Sequence, residues 1–129
     1  MNSIDYNRIS KQVISAAIEM HKELGPGLLD SVYEFCINEE LKLRNINFKN
    51  QVKLPIVYKG KELEKEFIID ILVEDSIIIE LKSVEILLPV HEVQLLTYLR
   101  LANKKLELLI NFNVPVLKDG IRRRINGYI

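Results

Sequence analysis

Three charged side chains stand inside the most apolar part of the chain. Asp70 separates Phe67-Ile68-Ile69 from Ile71-Leu72-Val73, and Glu80 and Lys82 close the run Ile77-Ile78-Ile79. Strand side chains alternate between faces, so Glu80 and Lys82 share one. Asp70 joins them only in one register. A three-residue loop, Glu74-Asp75-Ser76, pairs Val73 with Ile77 and sets Asp70 opposite Glu80, whereas a two-residue loop turns it to the other face. Two carboxylates at cross-strand distance repel each other unless a cation sits between them. Such a pair holds a hard divalent ion, Mg²⁺ or Mn²⁺, through oxygen ligands. The ion polarises a phosphoryl oxygen and lowers the pKa of a bound water. A lysine two residues on orients that water or stabilises the developing charge. These parts together hydrolyse a phosphodiester. The plainer reading of Glu-Leu-Lys is an amphipathic strand ending in solvated charges, with Asp70 at a bulge or strand end.

A later helix offers more polar groups. His91, Gln94 and Tyr98 form one stripe at i, i+3 and i+7, which is either a site wall or a solvent face. Val93, Leu96 and Leu99 are expected to face a sheet, with Glu92 and Arg100 toward solvent. The basic run of Lys118 with Arg122, Arg123 and Arg124 is the best candidate for phosphate contact, or else a solvated tail. Other chemistries are poorly supplied. His21 lies in a different helix from His91, Cys36 sits on an apolar stripe, and neither a Gly-x-Ser-x-Gly elbow nor a P-loop is present.

The elements that must position these groups follow from periodicity. Ile9, Val13, Ala17, Met20 and Leu24 make one helical stripe over Ser3 to Leu24, ended by Gly25-Pro26-Gly27. A second helix runs from about Leu28 or Asp30 to Arg44 with the stripe Leu29, Val32, Tyr33, Cys36, Ile37 and Leu41, capped by Asp30 or Ser31. Strands are expected over Gln51–Tyr58, Lys61–Val73 and Ile77–Lys82, then a helix over Val90–Ala102 and a doubly covered strand over Leu106–Phe112. Asn113–Gly120 is irregular, and Ile121–Ile129 supplies a short edge strand. Short turns make the first three strands an antiparallel meander, and the helix between the third and fourth makes a parallel crossover. The order ααβββαβ gives an α/β (α+β) domain over residues 1–129, with a mixed four- to five-stranded sheet flanked by helices.

The chain has 129 residues, 48% hydrophobic and 28% charged, ordinary values for one globular domain. Lys and Arg number 18, as do Asp and Glu, so no global positive field advertises nucleic acid and any such binding must be local. One cysteine excludes an intramolecular disulfide and a cysteine-based zinc site. No signal-peptide pattern or membrane span is read, and a cytoplasmic protein is expected. The apolar stretch Val84–Val90, with Ile86, Leu87 and Leu88, suits a homodimer contact.

Several segments resemble the GxxExxY proteins, a family grouped with the PD-(D/E)xK nuclease-like superfamily. They are Gly27-Leu28-Leu29-Asp30-Ser31-Val32-Tyr33, Ile69-Asp70-Ile71-Leu72-Val73-Glu74, Ile79-Glu80-Leu81-Lys82-Ser83-Val84, Pro89 through Leu99, and Leu109 through Pro115. The resemblance implies a restriction-endonuclease-like core and a metal-dependent nuclease acting on nucleic acid. Asp70, Glu80 and the Leu81 backbone carbonyl would be metal ligands, Lys82 the catalytic lysine, and Gln94 the helix glutamine of the site. Asp30 occupies the signature's glutamate position, one methylene shorter, with Glu34 one turn on as its substitute. Tyr33, His91 and Tyr98 are expected to line the site. Ile69 stands where the superfamily pattern has proline. A second reading is a non-catalytic nucleic-acid- or protein-binding module on the same fold, or a subunit of a larger complex.

Overall fold

The computed structural model describes the backbone of residues 1–129 and every side chain except that of Lys65. Two helices come first, α1 (Ser3–Leu24) and α2 (Asp30–Leu43). Asn2 and Asp5 cap α1 reciprocally, each side chain accepting the other's backbone N–H. Gly25, at φ 75°, ends α1 with its N–H on the His21 carbonyl. The N-cap of α2 is Leu29, with no side-chain cap bond, so the expected Asp30 or Ser31 cap is not formed. Asp30 is instead the first helical residue, and its carboxylate turns to the site described below.

A meander of β1 (Phe48–Tyr58), β2 (Lys61–Val73) and β3 (Ile77–Lys82) follows, then α3 (Pro89–Leu101), β4 (Leu106–Asn111), a 3₁₀ turn at Leu117–Gly120 and β5 (Ile121–Ile125). The five strands lie in chain order in one sheet. Every pairing is antiparallel except β3–β4, which the α3 crossover makes parallel. This is the mixed sheet flanked by helices that the pattern predicts. β1 begins three residues earlier than its apolar run, because Phe48 to Asn50 already pair with β2.

Turn chemistry sets the register. Lys59 and Gly60 both have positive φ and join Tyr58 to Lys61 in a two-residue turn. Glu74 and Asp75, at φ 51° and 55°, turn the chain within a three-residue loop completed by Ser76, whose N–H bonds the Val73 carbonyl. Val73 therefore pairs with Ile77, and the pairing runs on to Ile71↔Ile79; Asp70, next along β2, reaches the end of β3 through its side chain, whose Oδ2 accepts the Leu81 N–H.

The sheet is packed on both faces. On one side Val13, Ala17 and Met20 of α1 and Tyr33, Ile37 and Leu41 of α2 meet Ile71, Val73, Ile77, Ile79, Leu106, Leu108 and Ile110. On the other, Leu99 of α3 meets Ile69, Leu72 and Ile78, with Leu96 and Phe67 beside them. Each fully buried aliphatic side chain contributes roughly 1.5–3 kcal/mol. Burial also corrects two expected stripes. On α2, Leu29 is 73% exposed and Val32 38%, leaving Tyr33, Ile37 and Leu41 to face the core. On α3, Leu95 and Leu99 are buried while Val93 is 65% exposed. Ile86 and Leu88 are exposed as well.

One irregularity positions the site. Ile69 packs on the α3 side of the sheet, yet Ile71 packs on the α1–α2 side, so strict alternation skips at Asp70. β1 does the same opposite it: Phe48 lies on the helix-pair side, Val52 on the α3 side, and Gln51 between them has φ 50°. The register runs from Asn50↔Ile71 to Val52↔Ile69 without pairing Gln51 and Asp70. The ribbon turns over at this point, which frees both polar side chains from either packed layer.

Candidate active site

The turn-over at Asp70 and the end of β3 open a cleft of about 470 Å³ between the start of α2 and one face of α3. Asp30, Glu34, Gln51, Asp70, Glu80, Leu81, Lys82, His91, Gln94 and Tyr98 are among the residues that line it. Asp70 is fixed from below, its Oδ2 accepting the Leu81 N–H at 2.9 Å. Glu80 is only 5% exposed, and its Oε1 has no hydrogen-bond partner among the described residues. Burial, followed by the charge of Asp70, pushes the Glu80 carboxyl up to about 9. Glu80 thus keeps a proton at neutral pH unless a cation takes its place.

The carboxylates of α2 complete one wall. Burial raises the Asp30 carboxyl above the ordinary range, with Lys82 pulling it down and Asp70 pushing it further up. Burial raises Glu34 too, against a hydrogen bond from Gln51 Nε2 at 2.7 Å. The opposite wall is α3. Gln94 Nε2 donates to Tyr98 Oη at 2.6 Å. The Tyr98 ring stacks on Phe67, centroids 3.6 Å apart and planes 18° from parallel. His91 Nδ1 accepts the Leu88 N–H at 3.2 Å, which fixes its ring at the helix start.

Four expected site residues lie elsewhere. Tyr33 is fully buried, stacked on Phe112 at 4.3 Å. Its hydroxyl donates to the Gly25 carbonyl and accepts the Leu28 N–H, so it ties down the loop between α1 and α2. Three residues after Asp30, it falls on the core side of the helix rather than toward the cleft. Arg122, Arg123 and Arg124 lie on β5, beyond β4 from the cleft. Arg122 and Arg124 both engage Glu92 of α3, and Arg123 donates to Asn7 of α1. Alternation on β5 sends the outer two to one face and Arg123 to the other, so they form no common phosphate patch. Glu92 is correspondingly drawn to the sheet rather than to solvent.

Three contributors escaped the sequence pattern. Gln51 depends on a left-handed backbone that no glycine signals. Phe67 reads as an ordinary strand aromatic. Asn111, 3% exposed, accepts the Val84 and Asn113 N–H groups and donates to the Val84 carbonyl, pinning the chain just past Lys82. An asparagine ending an apolar strand was the only available signal.

Asp70, Glu80 and the Leu81 carbonyl supply oxygen donors of the kind a hard divalent ion takes. The buried, unpartnered Glu80 Oε1 fits such an ion. Among the described residues, no three His, Cys, Asp or Glu side chains close into a ligand set of their own, so water or substrate oxygens would complete the shell. A family model described as the PD-(D/E)XK nuclease superfamily matches residues 7–124. The fold is similar to the crystal structure of SSO0001, with TM-score 0.51 and 22% identity over 98% of this chain. The chain spans 61% of that protein's length. No curated protein matches. Among the described residues, no helix is long and apolar enough to cross a membrane.

Proposed function

Because the chain belongs to the PD-(D/E)XK nuclease superfamily, we propose that it is a metal-dependent nuclease hydrolysing phosphodiester bonds at the Asp70–Glu80–Lys82 cleft. One observation carries the reading: a buried carboxyl with an unsatisfied oxygen faces a second carboxylate, with a lysine two residues on in the same cleft. Within the superfamily, the GxxExxY proteins are the group its segments resemble.

Mg²⁺ or Mn²⁺ bound by Asp70, Glu80 and the Leu81 carbonyl would polarise a phosphoryl oxygen and acidify a coordinated water. The rest falls to this chain's own side chains. The Leu81 N–H holds Asp70 in one orientation, so its carboxylate is presented without reorganisation. Lys82, beside Asp30, orients the attacking water and balances charge developing on the phosphoryl group. The Tyr98 hydroxyl holds Gln94 over the same space. Asp30 and Glu34, with raised proton affinity, are placed to exchange a proton with water or the leaving oxygen.

The test is cleavage of labelled DNA and RNA in Mn²⁺ by wild type and Lys82→Ala. The variant loses cleavage, with metal binding nearly intact. Equal cleavage by the variant overturns the role of Lys82. Salt-sensitive oligonucleotide binding without cleavage in any divalent ion favours the non-catalytic module instead.

A further inference from the structure

Resting on that reading, we propose that the cleft takes its substrate as a single strand, with an unpaired base lying against the Phe67–Tyr98 pair. Three features of the cleft lead there. The first is charge. Asp30, Glu34, Asp70 and Glu80 all line it, and Lys82 is the one lysine or arginine among the described lining residues. A duplex presents two dense rows of phosphates and is held mainly by many lysine and arginine contacts. This cleft lacks them, and the arginines of β5 are committed to Glu92 and Asn7.

The second feature is the wall opposite the carboxylates. Phe67 and Tyr98, with Leu95 beneath them, make it aromatic and apolar. Phe67 and Tyr98 are half-buried. Two rings already stacked on each other, one further anchored through its hydroxyl by Gln94, are set before any ligand arrives. Little side-chain freedom is left to lose on binding. Such a wall offers a π surface to a base, and only a base outside a helical stack can reach it. The third feature is size. A space of about 470 Å³ has room for a nucleotide-sized group. Recognition is then divided: carboxylates and Lys82 for the scissile phosphate, aromatic rings for the neighbouring base. Stacking tolerates any base, so weak sequence preference follows.

The experiment compares three fluorescein-labelled 12-mers by anisotropy in Ca²⁺: a mixed-sequence single strand, its duplex, and a single strand with abasic sugars in the centre. DNA and RNA versions are both used, and cleavage of each is followed in Mn²⁺. The intact single strand binds tightest. The duplex binds at least tenfold more weakly, and the abasic strand roughly tenfold to a hundredfold more weakly. Tyr98→Leu, checked for folding by thermal melting, erases the difference between intact and abasic strands. Tyr98→Phe retains it, because the ring remains when the hydroxyl is lost. Duplex binding or cleavage equal to that of the single strand overturns this inference and leaves the nuclease reading standing. Equal binding of intact and abasic strands does the same. Absence of binding and cleavage for every oligonucleotide overturns both.

Discussion

Glu107 is a carboxylic acid sealed inside the sheet, and replacing it with glutamine tests how its burial is tolerated. The side chain is 1% exposed on β4, and neither carboxyl oxygen has a hydrogen-bond partner among the described residues. Burial pushes it up to about 8, with its cross-strand neighbour Arg124 pulling the other way. A carboxyl with raised proton affinity binds more protons folded than unfolded through the interval between the two values. Its contribution to stability is therefore whole below pH 4.5 and drains away as pH rises toward 8. The full drop is on the order of 4–5 kcal/mol, with a slope of about 1.4 kcal/mol per pH unit in mid-range. Glu107→Gln keeps the shape and removes the titration, at a cost of about 1–3 kcal/mol for its newly buried amide hydrogens. Urea unfolding in EDTA from pH 5 to pH 9 gives two curves that cross. The variant is less stable at pH 5 and more stable by about 2 kcal/mol or more at pH 8.5. Glu80 titrates in both proteins, and the Glu107 charge also raises it, so the difference between the curves reads Glu107 together with its effect on Glu80. Parallel curves would refute the reasoning, because they would mean that Glu107 is already ionised in the folded protein at neutral pH.

Two further substitutions probe the frame that carries the site. Tyr33→Phe deletes the hydroxyl that joins Gly25 to Leu28, and chemical denaturation should show a loss of about 1–3 kcal/mol with Phe112 stacking preserved; no loss would mean that the α1–α2 loop is held by other contacts. Gly120→Ala would place a methyl group 2.2 Å from the Asn111 carbonyl oxygen, so a melting experiment should show roughly 1–3 kcal/mol of destabilisation or more, and an unchanged melting temperature would contradict that close approach.

Local signals carried much of the architecture. Gly25, Lys59-Gly60 and Glu74-Asp75-Ser76 mark chain reversals through their own backbone preferences, and the last of these sets the β2–β3 register that brings Asp70 to the end of β3. The parallel β3–β4 pairing follows from a helix-length crossover. Features that depend on partners distant in sequence were not legible. Glu92 reads as a solvent residue because its arginines lie 30 and 32 positions further along the chain. Tyr33 lies one turn from Asp30 on a neighbouring line of α2, and only the position of Phe112 shows that this line is core. The ribbon turn-over at Gln51 carries no glycine to announce it. The reading that sets Asp70 opposite Glu80 assumes unbroken alternation, whereas alternation breaks at Asp70, as the plainer reading of a bulge residue allows.

The most direct test of the metal-dependent reading is Mn²⁺ titration calorimetry on wild type and on the Asp70→Asn/Glu80→Gln double variant, with and without a short oligonucleotide. Glu80, held at about 9, must release its proton when the ion binds. Wild-type affinity should therefore rise by up to about tenfold per pH unit between pH 6 and 8, and the double variant should show no saturable binding. Saturable binding that survives in the double variant, or no binding to wild type even with oligonucleotide present, would contradict the account.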